Sequence, residues 1–370
     1  MQTNLLKLLI FNPSIEDGGV EKNLFIITNY LADKINGVNL ITTSFQYSKK
    51  FSKKVKLIFP RYYLSNKYGR LPRYFLCIVE LIIFIIKHKR KVLILSFQAN
   101  IYAIIIAKIF NIRIISRSNT SPTAWSQNFF KQIIFSFFLN KTRKIIVNSY
   151  QFKKIMDKKY KLNCQCILNP FNFNLISKLS RVKIKEDFFK SKKKLKIISV
   201  GRLVHQKDHM TLLKAINIVA KNKRNIEVII LGKGIEKDNL KNYINTNNLQ
   251  SFVKLIGYKK NPFNYIKQAD IFILSSIYEG SPNVLVEAQF LKKYIISSNC
   301  PTGPKDILAN GLYGDLFQVG NYKKLANLIL NYNYNLKKGM ISQGFRNVFQ
   351  YDKKNSCEQY LSLVLSHLRK

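Results

Sequence analysis

The sequence is short of acidic residues and of the residues that build metal and disulfide sites. It has 19 Asp and Glu against 62 Lys and Arg, a formal net charge of +43, and only four histidines in 370 residues. Its five cysteines are scattered without a CxxC pair, which argues against a zinc site and against a disulfide framework. No apolar run reaches the ~18 residues of a membrane-spanning helix, and the N-terminus lacks a signal-peptide layout. We therefore expect a reduced, cytoplasmic protein.

The large positive charge has two interpretations. A pI near 10.1 fits a nucleic acid, an anionic membrane surface or a phosphorylated substrate as partner. Lys, Asn and Ile also dominate the composition, as expected of an AT-rich genome, so compositional drift explains much of the excess equally well. The charge alone therefore does not identify a function.

Apolar runs of strand length alternate with helical patterns along most of the chain. Such an alternation predicts βαβ units around parallel sheets that are buried on both faces. We predict an α/β protein of two doubly wound, Rossmann-like halves, joined by the charge-rich linker Arg181–Lys194, with a ligand cleft between them. The predicted strands are Leu5–Phe11, Val92–Ser96, Arg113–Ser116, Lys144–Asn148, Leu195–Val200, Glu227–Leu231, Val253–Ile256, Ile271–Ser275 and Tyr294–Ser298. The predicted helices are Glu21–Ala32, Pro72–Lys87, Ile101–Phe110, Phe129–Leu139, Met210–Ala220, Lys237–Leu249, Pro262–Gln268, Val284–Leu291 and the amphipathic tail Cys357–Leu368.

The strongest local signal is the segment that runs from Glu279 to Glu287 after a predicted strand. Ser281 is expected to cap a helix whose first residue is Pro282. The backbone N–H groups of residues 283–285 would then point at an anion such as a phosphate. The two glutamates bracket that site and could accept hydrogen bonds from sugar hydroxyls. A capped helix with an incidental surface glutamate fits the same spacing.

Weaker signals lie at the ends of three other predicted strands. Arg202 and Lys207 follow the strand Leu195–Val200, where a guanidinium and an ammonium could grip phosphate oxygens. Glycines at Gly18-Gly19 and in Gly232-x-Gly234 would let the backbone approach a ligand. Each has a plain alternative, because basic residues are abundant in this chain and glycine pairs are common in turns.

Taken in this order, the motifs resemble the retaining glycosyltransferases of family 4, which have the GT-B fold. The resemblance rests on Gly201-Arg202 with Gln206-Lys207, on Gly232-x-Gly234, on the E-x7-E pair and on the segment Asn299–Leu308. It implies transfer of a hexose or N-acetylhexosamine from a nucleotide-diphosphate sugar, with a UDP-sugar expected. It also implies an acceptor-binding N-terminal domain (residues 1–175), a donor-binding C-terminal domain (176–350) and a C-terminal helix (351–370) that packs back on the first domain.

The resemblance implies roles for individual residues. Arg202 and Lys207 would neutralise the donor diphosphate, Glu279 would hold the transferred sugar, and Glu287 would bind the ribose diol. The loop at Tyr258 corresponds to the place where the base is held. No metal and no other cofactor is implied, because the cationic side chains and the helix dipole would meet the charge of the leaving diphosphate. The expected donor site comprises Gly19, Arg202, Lys207, Tyr258, Glu279, Gly280, Ser281, Pro282, Asn283, Val284, Leu285 and Glu287, of which Glu279, Arg202 and Lys207 are expected to be catalytic.

The acceptor side departs from the common pattern of the family. Many relatives carry a histidine after the fourth strand, but none of the four histidines here lies in Ser96–Asn100. That segment and Ser116–Asn119 resemble a subgroup that builds lipid-linked bacterial glycans, such as O-antigen, lipopolysaccharide and capsule. We therefore expect Gln98, Asn100 and Arg117 to face a polyprenyl-diphosphate-linked glycan acceptor. The histidines are His88, His205, His209 and His367, and we expect His205 and His209 to be a loop residue and a helix-start residue.

A lipid-linked acceptor predicts work at an anionic membrane surface on the cytoplasmic side. Basic and aromatic residues precede the apolar helix Pro72–Lys87, and each basic group near such a surface contributes ~1 kcal/mol. A core-facing helix beside a solvated basic loop is the alternative. The basic and aromatic residues are Lys49, Lys50, Lys53, Lys54, Arg61, Tyr62, Tyr63, Lys67, Tyr68 and Arg70.

Two other functions fit parts of the sequence. A GT-B protein could be a sugar-nucleotide epimerase or a phosphorylase, although the E-x7-E pair with Ser-Pro-Asn favours transfer. A nucleic-acid-binding protein would account for the charge, but no RRM, KH or zinc-finger pattern is visible and the basic residues are spread along the chain. We therefore expect no nucleic-acid partner.

Overall fold

The computed structural model describes residues 6–16, 19–62, 69, 71–119, 129–184, 194–222 and 225–368, with the side chains of all of these except residues 19, 20, 129–131 and 159. The chain divides into two compact units, one of Met1–Phe171 with Lys353–Lys370 and one of Asn172–Asp352. Gly18 of the predicted glycine pair and residues 185–193 of the predicted linker lie outside the described residues. Each unit has a parallel sheet with helices on it, so the predicted α/β class is confirmed.

The first unit contains a parallel sheet of seven strands among its described residues, in the order β3-β2-β1-β4-β5-β6-β7. The order reverses between β1 and β4, the signature of a doubly wound sheet. The strands are β1 (Lys7–Phe11), β2 (Asn39–Ile41), β3 (Lys56–Ile58), β4 (Val92–Ser96), β5 (Arg113–Arg117), β6 (Lys144–Val147) and β7 (Cys164–Cys166). The helices are α1 (Gly19–Lys34), α2 (Leu71–Lys87), α3 (Asn100–Ile109), α4 (Phe129–Leu139) and α5 (Tyr150–Tyr160), with the C-terminal helix Lys353–Leu368.

Alternating side chains of each strand feed two separate cores, because successive residues of a strand point to opposite faces. In β1, Leu8 and Ile10 join the core under α1 and the C-terminal helix, while Leu9 and Phe11 join the core under α2, α3 and α5. Both faces of the sheet are thus covered, which explains why its strands are continuously apolar.

The C-terminal helix is part of the first unit. Cys357, Tyr360 and Val364 are at most 1% exposed and pack in the same core as α1. The guanidinium of Arg113 donates to the carbonyl of His367 at 3.2 Å, and the N–H of Leu6 donates to the carbonyl of Leu368 at 3.3 Å. The chain therefore returns to the first unit after completing the second.

The second unit contains a parallel sheet of six strands among its described residues, in the order β10-β9-β8-β11-β12-β13. One core packs its strands against α7, α8 and α12, through residues such as Leu212, Leu240 and Leu325. The strands are β8 (Leu195–Val200), β9 (Ile226–Leu231), β10 (Val253–Gly257), β11 (Ile271–Leu274), β12 (Tyr294–Ser298) and β13 (Asp315–Phe317). The helices are α6 (Phe173–Ser180), α7 (His209–Lys221), α8 (Lys237–Thr246), α9 (Phe263–Gln268), α10 (Asn283–Phe290), α11 (Pro304–Ile307), α12 (Tyr322–Leu330) and α13 (Tyr334–Asn347).

Candidate functional site

The strand order of the second sheet reverses between β8 and β11. From β8 the chain continues outward through β9 and β10, whereas β11 lies on the other side of β8 and leads outward through β12 and β13. Open parallel sheets bind ligands outside the carboxyl ends of their strands at such a reversal. The loops that leave the sheet there are 201–208 after β8 and 275–282 after β11. They carry six of the twelve predicted donor residues, namely Arg202, Lys207, Glu279, Gly280, Ser281 and Pro282.

A buried ion pair joins these two loops. Lys207 Nζ lies 2.5 Å from Glu279 Oε1, and the side chains are only 15% and 7% exposed. The hydroxyl of Ser276 donates to the same carboxylate oxygen at 2.6 Å. Removing either charged partner would leave the other buried without its counter-charge, which is strongly destabilising. The pair therefore fixes an ammonium and a carboxylate in one place at the edge of the sheet.

Gln206 connects the exposed Arg202 to the same place. The Arg202 guanidinium donates to Gln206 Oε1 at 3.2 Å, and Gln206 Nε2 donates to the carbonyl of Tyr278 at 2.9 Å. The N–H of Ile277 donates to the carbonyl of Gln206 at 2.9 Å. The structure thus brings Arg202, Lys207 and Glu279 together, and their roles stay predictions.

A third loop, after β12, holds the backbone of Glu279. The N–H of Glu279 donates to the carbonyl of Pro301 at 2.8 Å, and the N–H of Thr302 donates to the carbonyl of Glu279 at 2.9 Å. Gly303, with φ of +90°, approaches so closely that a Cβ on it would lie 2.3 Å from the carbonyl oxygen of Gly280. A larger residue would push the two loops apart. Gly303 is therefore needed for the close contact between the loop after β12 and the loop after β11.

The start of α10 differs from the prediction. The helix begins at Asn283, and Pro282 is its N-cap with no side-chain cap bond, so Ser281 is not the cap and Pro282 is not the first helical residue. The N–H of Leu285 donates to the carbonyl of Pro282 at 3.0 Å and so is not directed at an external anion. The physical reason is the contact with the loop after β12. Thr302 Oγ1 of that loop donates to the carbonyl of Gly280 at 3.2 Å and keeps the chain extended up to Pro282.

Glu287 lies one turn inside α10 and is 2% exposed. A carboxylate is rarely buried so fully without a specific reason, because burying a charge is costly. This contradicts the alternative of an incidental surface glutamate. Gly280 and Ser281 precede the same helix, Asn283 and Val284 begin it, and all four are partly exposed.

Tyr258 follows β10 and is 47% exposed, with Lys233 Nζ 5.2 Å from its ring centroid. The two glycines of the Gly232-x-Gly234 motif serve local packing. A Cβ on Gly232 would lie 1.8 Å from the carbonyl oxygen of Gly201, and one on Gly234 would lie 2.1 Å from that of Leu203. The motif therefore lets the loops after β8 and β9 lie against each other.

The predicted acceptor residues occupy the corresponding edge of the first sheet. Gln98 Oε1 accepts from the N–H of Ser14 at 2.9 Å and so ties the loop after β1 to the loop after β4. Asn100 Oδ1 accepts from the hydroxyl of Ser96 at 2.7 Å, and its amide donates to the carbonyl of Arg117 at 2.9 Å. Gly19 is the first residue of α1.

Arg117 does not face an acceptor as predicted, because it is 1% exposed. It follows Ile115 by two residues in β5, so its side chain points to the face that α1 and the C-terminal helix cover. There its guanidinium lies 5.2 Å from the ring centroid of Phe97 and donates to Asn169 Oδ1 at 2.8 Å. Its contribution to the site is its carbonyl, which holds Asn100.

Sequence reasoning missed the support that two residues give to the site. Ser276 holds the Glu279 carboxylate, and Thr302 holds the backbone of that loop. A signal existed for Ser276, since two serines follow a fully apolar strand directly. Thr302 has no comparable signal, because its partners lie on another loop. The prediction that His209 starts a helix is confirmed, whereas its burial there was not predicted.

Burial and, to a smaller extent, the positive charge of Lys207 lower the pKa of His209 to about 4. Burial also raises the pKa of the Cys300 thiol, close to Glu279, to about 12. Near neutral pH the site is therefore flanked by a neutral imidazole and a protonated thiol. The charges at its centre are those of Arg202, Lys207 and Glu279.

Comparison with known proteins agrees with this geometry. Residues 180–337 match the family described as Glycosyl transferases group 1. An uncharacterized glycosyltransferase of Methanocaldococcus jannaschii is 32% identical over 221 residues, 55% of this chain and 53% of that protein. A Campylobacter jejuni relative is 25% identical over 232 residues, 60% of each chain; it is an N-acetylgalactosamine-N,N'-diacetylbacillosaminyl-diphospho-undecaprenol 4-alpha-N-acetylgalactosaminyltransferase. The chain thus spans little more than half the length of these curated relatives.

Solved structures show the fold of the whole chain. HepE of Anabaena, in complex with UDP and glucose, superposes with a TM-score of 0.79 at 18% identity, over 98% of this chain and 100% of that one. A glycosyltransferase of Rickettsia africae gives a TM-score of 0.78 at 20% identity, over 99% of this chain and 100% of that one. The predicted GT-B fold is confirmed.

We predict that His209 makes the stability of the protein depend on pH. Its pKa is about 4 in the folded protein, below the usual value of 6.5 for a histidine. Its contribution is complete above pH 6.5 and is lost as pH falls towards 4, because the unfolded chain binds the proton first. The loss should reach about 2 kcal/mol by pH 5, measured by urea denaturation at pH 7.5 and pH 5.

The variant His209→Asn should lose this part of the pH dependence. His205→Asn is the matched control, because His205 is exposed in the adjacent turn, and it should behave as the wild type. A wild-type pH dependence in His209→Asn would show that the imidazole is not buried as described.

Proposed function

We propose that this protein is a retaining glycosyltransferase of family 4, a hexosyltransferase. It would move a hexose or N-acetylhexosamine from a nucleotide-diphosphate sugar, a UDP-sugar in the first instance, to a lipid-linked oligosaccharide in bacterial surface-glycan or protein-glycan biosynthesis. The observation that carries the proposal is the buried pair of Lys207 and Glu279 at the reversal of the second sheet, with Arg202 tied to it. The group 1 match supports it, and so does the UDP that the related HepE structure contains.

The arrangement suits the departure of a nucleoside diphosphate. The bond between the anomeric carbon and the diphosphate oxygen breaks, the diphosphate keeps the electron pair, and the acceptor oxygen bonds to the carbon and loses its proton. Charge develops on the departing diphosphate, where preorganised cations stabilise it most effectively. In the free protein Glu279 already neutralises much of the Lys207 charge, so the exposed Arg202 is the cation most available to the diphosphate.

Glu279 and Glu287 would hold the two sugars of the donor. Glu279 is fixed by Ser276, by Lys207 and by the loop after β12, so its carboxylate can orient hydroxyls of the transferred sugar without reorganisation. Glu287 would bind the ribose diol from inside α10. The half-exposed Tyr258 would contact the base. The residues from Gly280 to Val284 would surround the phosphates and sugar hydroxyls with backbone.

The proposed acceptor is a polyprenyl-diphosphate-linked glycan. The name of the Campylobacter jejuni relative, which describes a diphospho-undecaprenol substrate, supports this choice. Gln98 and Asn100 would lie at the acceptor, and Arg117 would act on it only through Asn100. Such an acceptor would place the protein at the inner face of the cytoplasmic membrane as a peripheral protein. A sugar-nucleotide epimerase or phosphorylase remains the alternative, and transfer to a lipid-linked acceptor distinguishes the two.

We expect Arg202→Ala to lower kcat for transfer strongly. Losing one preorganised stabiliser of developing charge typically costs ~10²–10³ in kcat. The measurement is transfer from a panel of UDP- and GDP-sugars to a lipid-linked acceptor. Arg346→Ala is the matched control, because Arg346 is an exposed arginine on α13 of the same unit. Equal rates in the two variants would place the diphosphate elsewhere.

Glu287→Gln should weaken the binding of UDP. A carboxylate that accepts from both ribose hydroxyls contributes ~1.5–3 kcal/mol, so about tenfold or more in Kd is expected by isothermal titration. Glu227→Gln tests for a general effect of losing a buried carboxylate, because Glu227 is 8% exposed and lies near the amino end of β9. Unchanged UDP affinity in Glu287→Gln would refute its assignment.

Transfer should not require a metal ion, since Arg202 and Lys207 would meet the charge of the leaving diphosphate. Activity measured in EDTA is expected to equal activity in buffer alone. A loss that Mg²⁺ or Mn²⁺ restores would contradict this proposal.

A further inference from the structure

The outer face of α2 is apolar along its whole length. Cys77, Leu81 and Ile85 are buried against the sheet, as a core-facing helix requires. The opposite side of the same helix is also apolar, and it lies open. Exposed on it are Leu71 (68%), Phe75 (65%), Val79 (39%), Ile83 (47%) and Ile86 (60%), spaced by three or four residues.

Two neighbouring helices extend this apolar face. The helix α3 contacts both α2 and α4, and the rings of Tyr74 and Tyr102 lie 6.4 Å apart across α2 and α3. Single exposed apolar residues are ordinary, whereas a contiguous patch marks an interaction site. The exposed apolar residues of the two neighbours are Tyr102 (43%) and Ile109 (68%) on α3 and Ile133 (48%), Ile134 (52%) and Phe137 (56%) on α4. We call the exposed apolar residues of α2, α3 and α4 the apolar layer.

Cations stand at the ends of the helices that form the apolar layer. Lys87 and Lys108 are exposed in the last turns of α2 and α3. Arg90 lies 5.8 Å from the ring centroid of Phe110, and Lys141 lies 4.9 Å from that of Phe137. An apolar face with a basic rim is the chemistry of a protein that lies on an anionic bilayer.

Two of the basic residues for which the sequence predicted docking, Lys50 and Lys54, lie on the other side of the sheet. Lys50 lies 5.9 Å from the ring centroid of Phe25, and Lys54 pairs with Asp33 at 3.1 Å; both partners belong to α1. The helix α1 covers the opposite face of the sheet from α2. Lys50 and Lys54 therefore lie on the α1 side of the sheet and not beside the outer face of α2, and their role at a membrane stays a prediction. Tyr63, Lys67, Tyr68 and Arg70 lie outside the described residues.

We propose that the apolar layer of α2, α3 and α4 is the surface on which this protein docks to an anionic lipid bilayer. The proposal rests on the proposed function in one respect, that a lipid-linked acceptor must be reached at a membrane. Among the described residues no helix is long and apolar enough to cross a bilayer. Docking would bury the exposed side chains of the apolar layer among the lipid headgroups and acyl chains, with the basic rim on the phosphates.

The charge argues for lipid rather than for a second copy of the chain. Two copies that met through this face would bring two basic rims together, and like charges oppose association. An anionic bilayer supplies the opposite charge, and each basic group near its surface contributes favourably. An anionic bilayer therefore accounts for both the apolar layer and the basic residues at its edge.

The test is sedimentation of the full-length protein with vesicles that contain no acceptor. Wild-type protein should bind vesicles of phosphatidylcholine with phosphatidylglycerol, less so at high salt, and should bind pure phosphatidylcholine weakly. The double variant Phe75→Ser/Ile83→Ser should bind about tenfold more weakly or worse, because it removes two side chains that would enter the bilayer. The variant Lys87→Glu/Lys108→Glu should weaken binding and reduce its dependence on salt.

The opposite face of the sheet supplies matched controls. Phe45 is 65% exposed, as Phe75 is, but it belongs to the segment Phe45–Lys50, whose Tyr47 ring lies 6.0 Å from that of Phe25 in α1, so Phe45→Ser should bind as the wild type does. Lys49→Glu/Lys53→Glu should change binding much less than the pair on α2 and α3. Circular dichroism and UDP titration of every variant would show that the fold and the donor site are intact.

Several outcomes would overturn the proposal. If Lys49→Glu/Lys53→Glu lost binding while Phe75→Ser/Ile83→Ser kept it, the docking surface would lie on the α1 face. Absence of binding to anionic vesicles would exclude this partner, and a dimer that the Phe75 and Ile83 variant dissociates would make the layer an interface between copies. Because these vesicles contain no acceptor and UDP is titrated separately, such a failure would leave the proposed transferase function standing.

Discussion

The Glu279 carboxylate, buried beside Lys207, is the constraint on which the candidate site depends. A buried charge without its partner costs far more than the pair gains over apolar residues, so the two side chains must stay together. Lys207 comes from the loop after β8 and Glu279 from the loop after β11, while the loop after β12 grips the backbone of Glu279. Three strand ends that are distant in sequence are thereby held in one place. Gly303 is a consequence of the same constraint, because only a residue without a Cβ lets the third loop approach Gly280.

This pairing also bears on the excess of positive charge. A chain with 62 basic and 19 acidic residues offers few carboxylates, and one of them is used to hold Lys207. Arg202 is held by the neutral Gln206 and keeps its full charge at the surface. The two cations of the motif are therefore not equivalent: one is fixed and partly neutralised, and the other is exposed. Composition alone, which counts both equally, could not distinguish them.

How far the sequence could predict the fold depended on the length and the apolar character of each element. Val92–Ser96, Leu195–Val200 and Tyr294–Ser298 were predicted with the bounds that the structure has, because each is a mainly apolar run of strand length. The strands β2, β3, β7 and β13 are three residues long and were missed, since their pairing comes from neighbours in the sheet and not from a pattern of their own. The start of α10 and the position of Arg117 were wrong for a related reason. Both are decided by residues distant in sequence, Thr302 for the helix start and the face covered by the C-terminal helix for Arg117.

The environment of helix α2 is the feature that the sequence pattern was least able to predict. A helix that is apolar all round is expected to be buried within a protein or a membrane, so the pattern leaves its environment open. The structure separates the two sides, because Cys77, Leu81 and Ile85 face the sheet while Phe75 and Ile83 face outward. Folding of the first unit accounts for the inner side only. The outer side contributes nothing to that core, and the exposed faces of α3 and α4 beside it share this property. A partner that removes these side chains from water explains an apolar surface that the fold itself does not use.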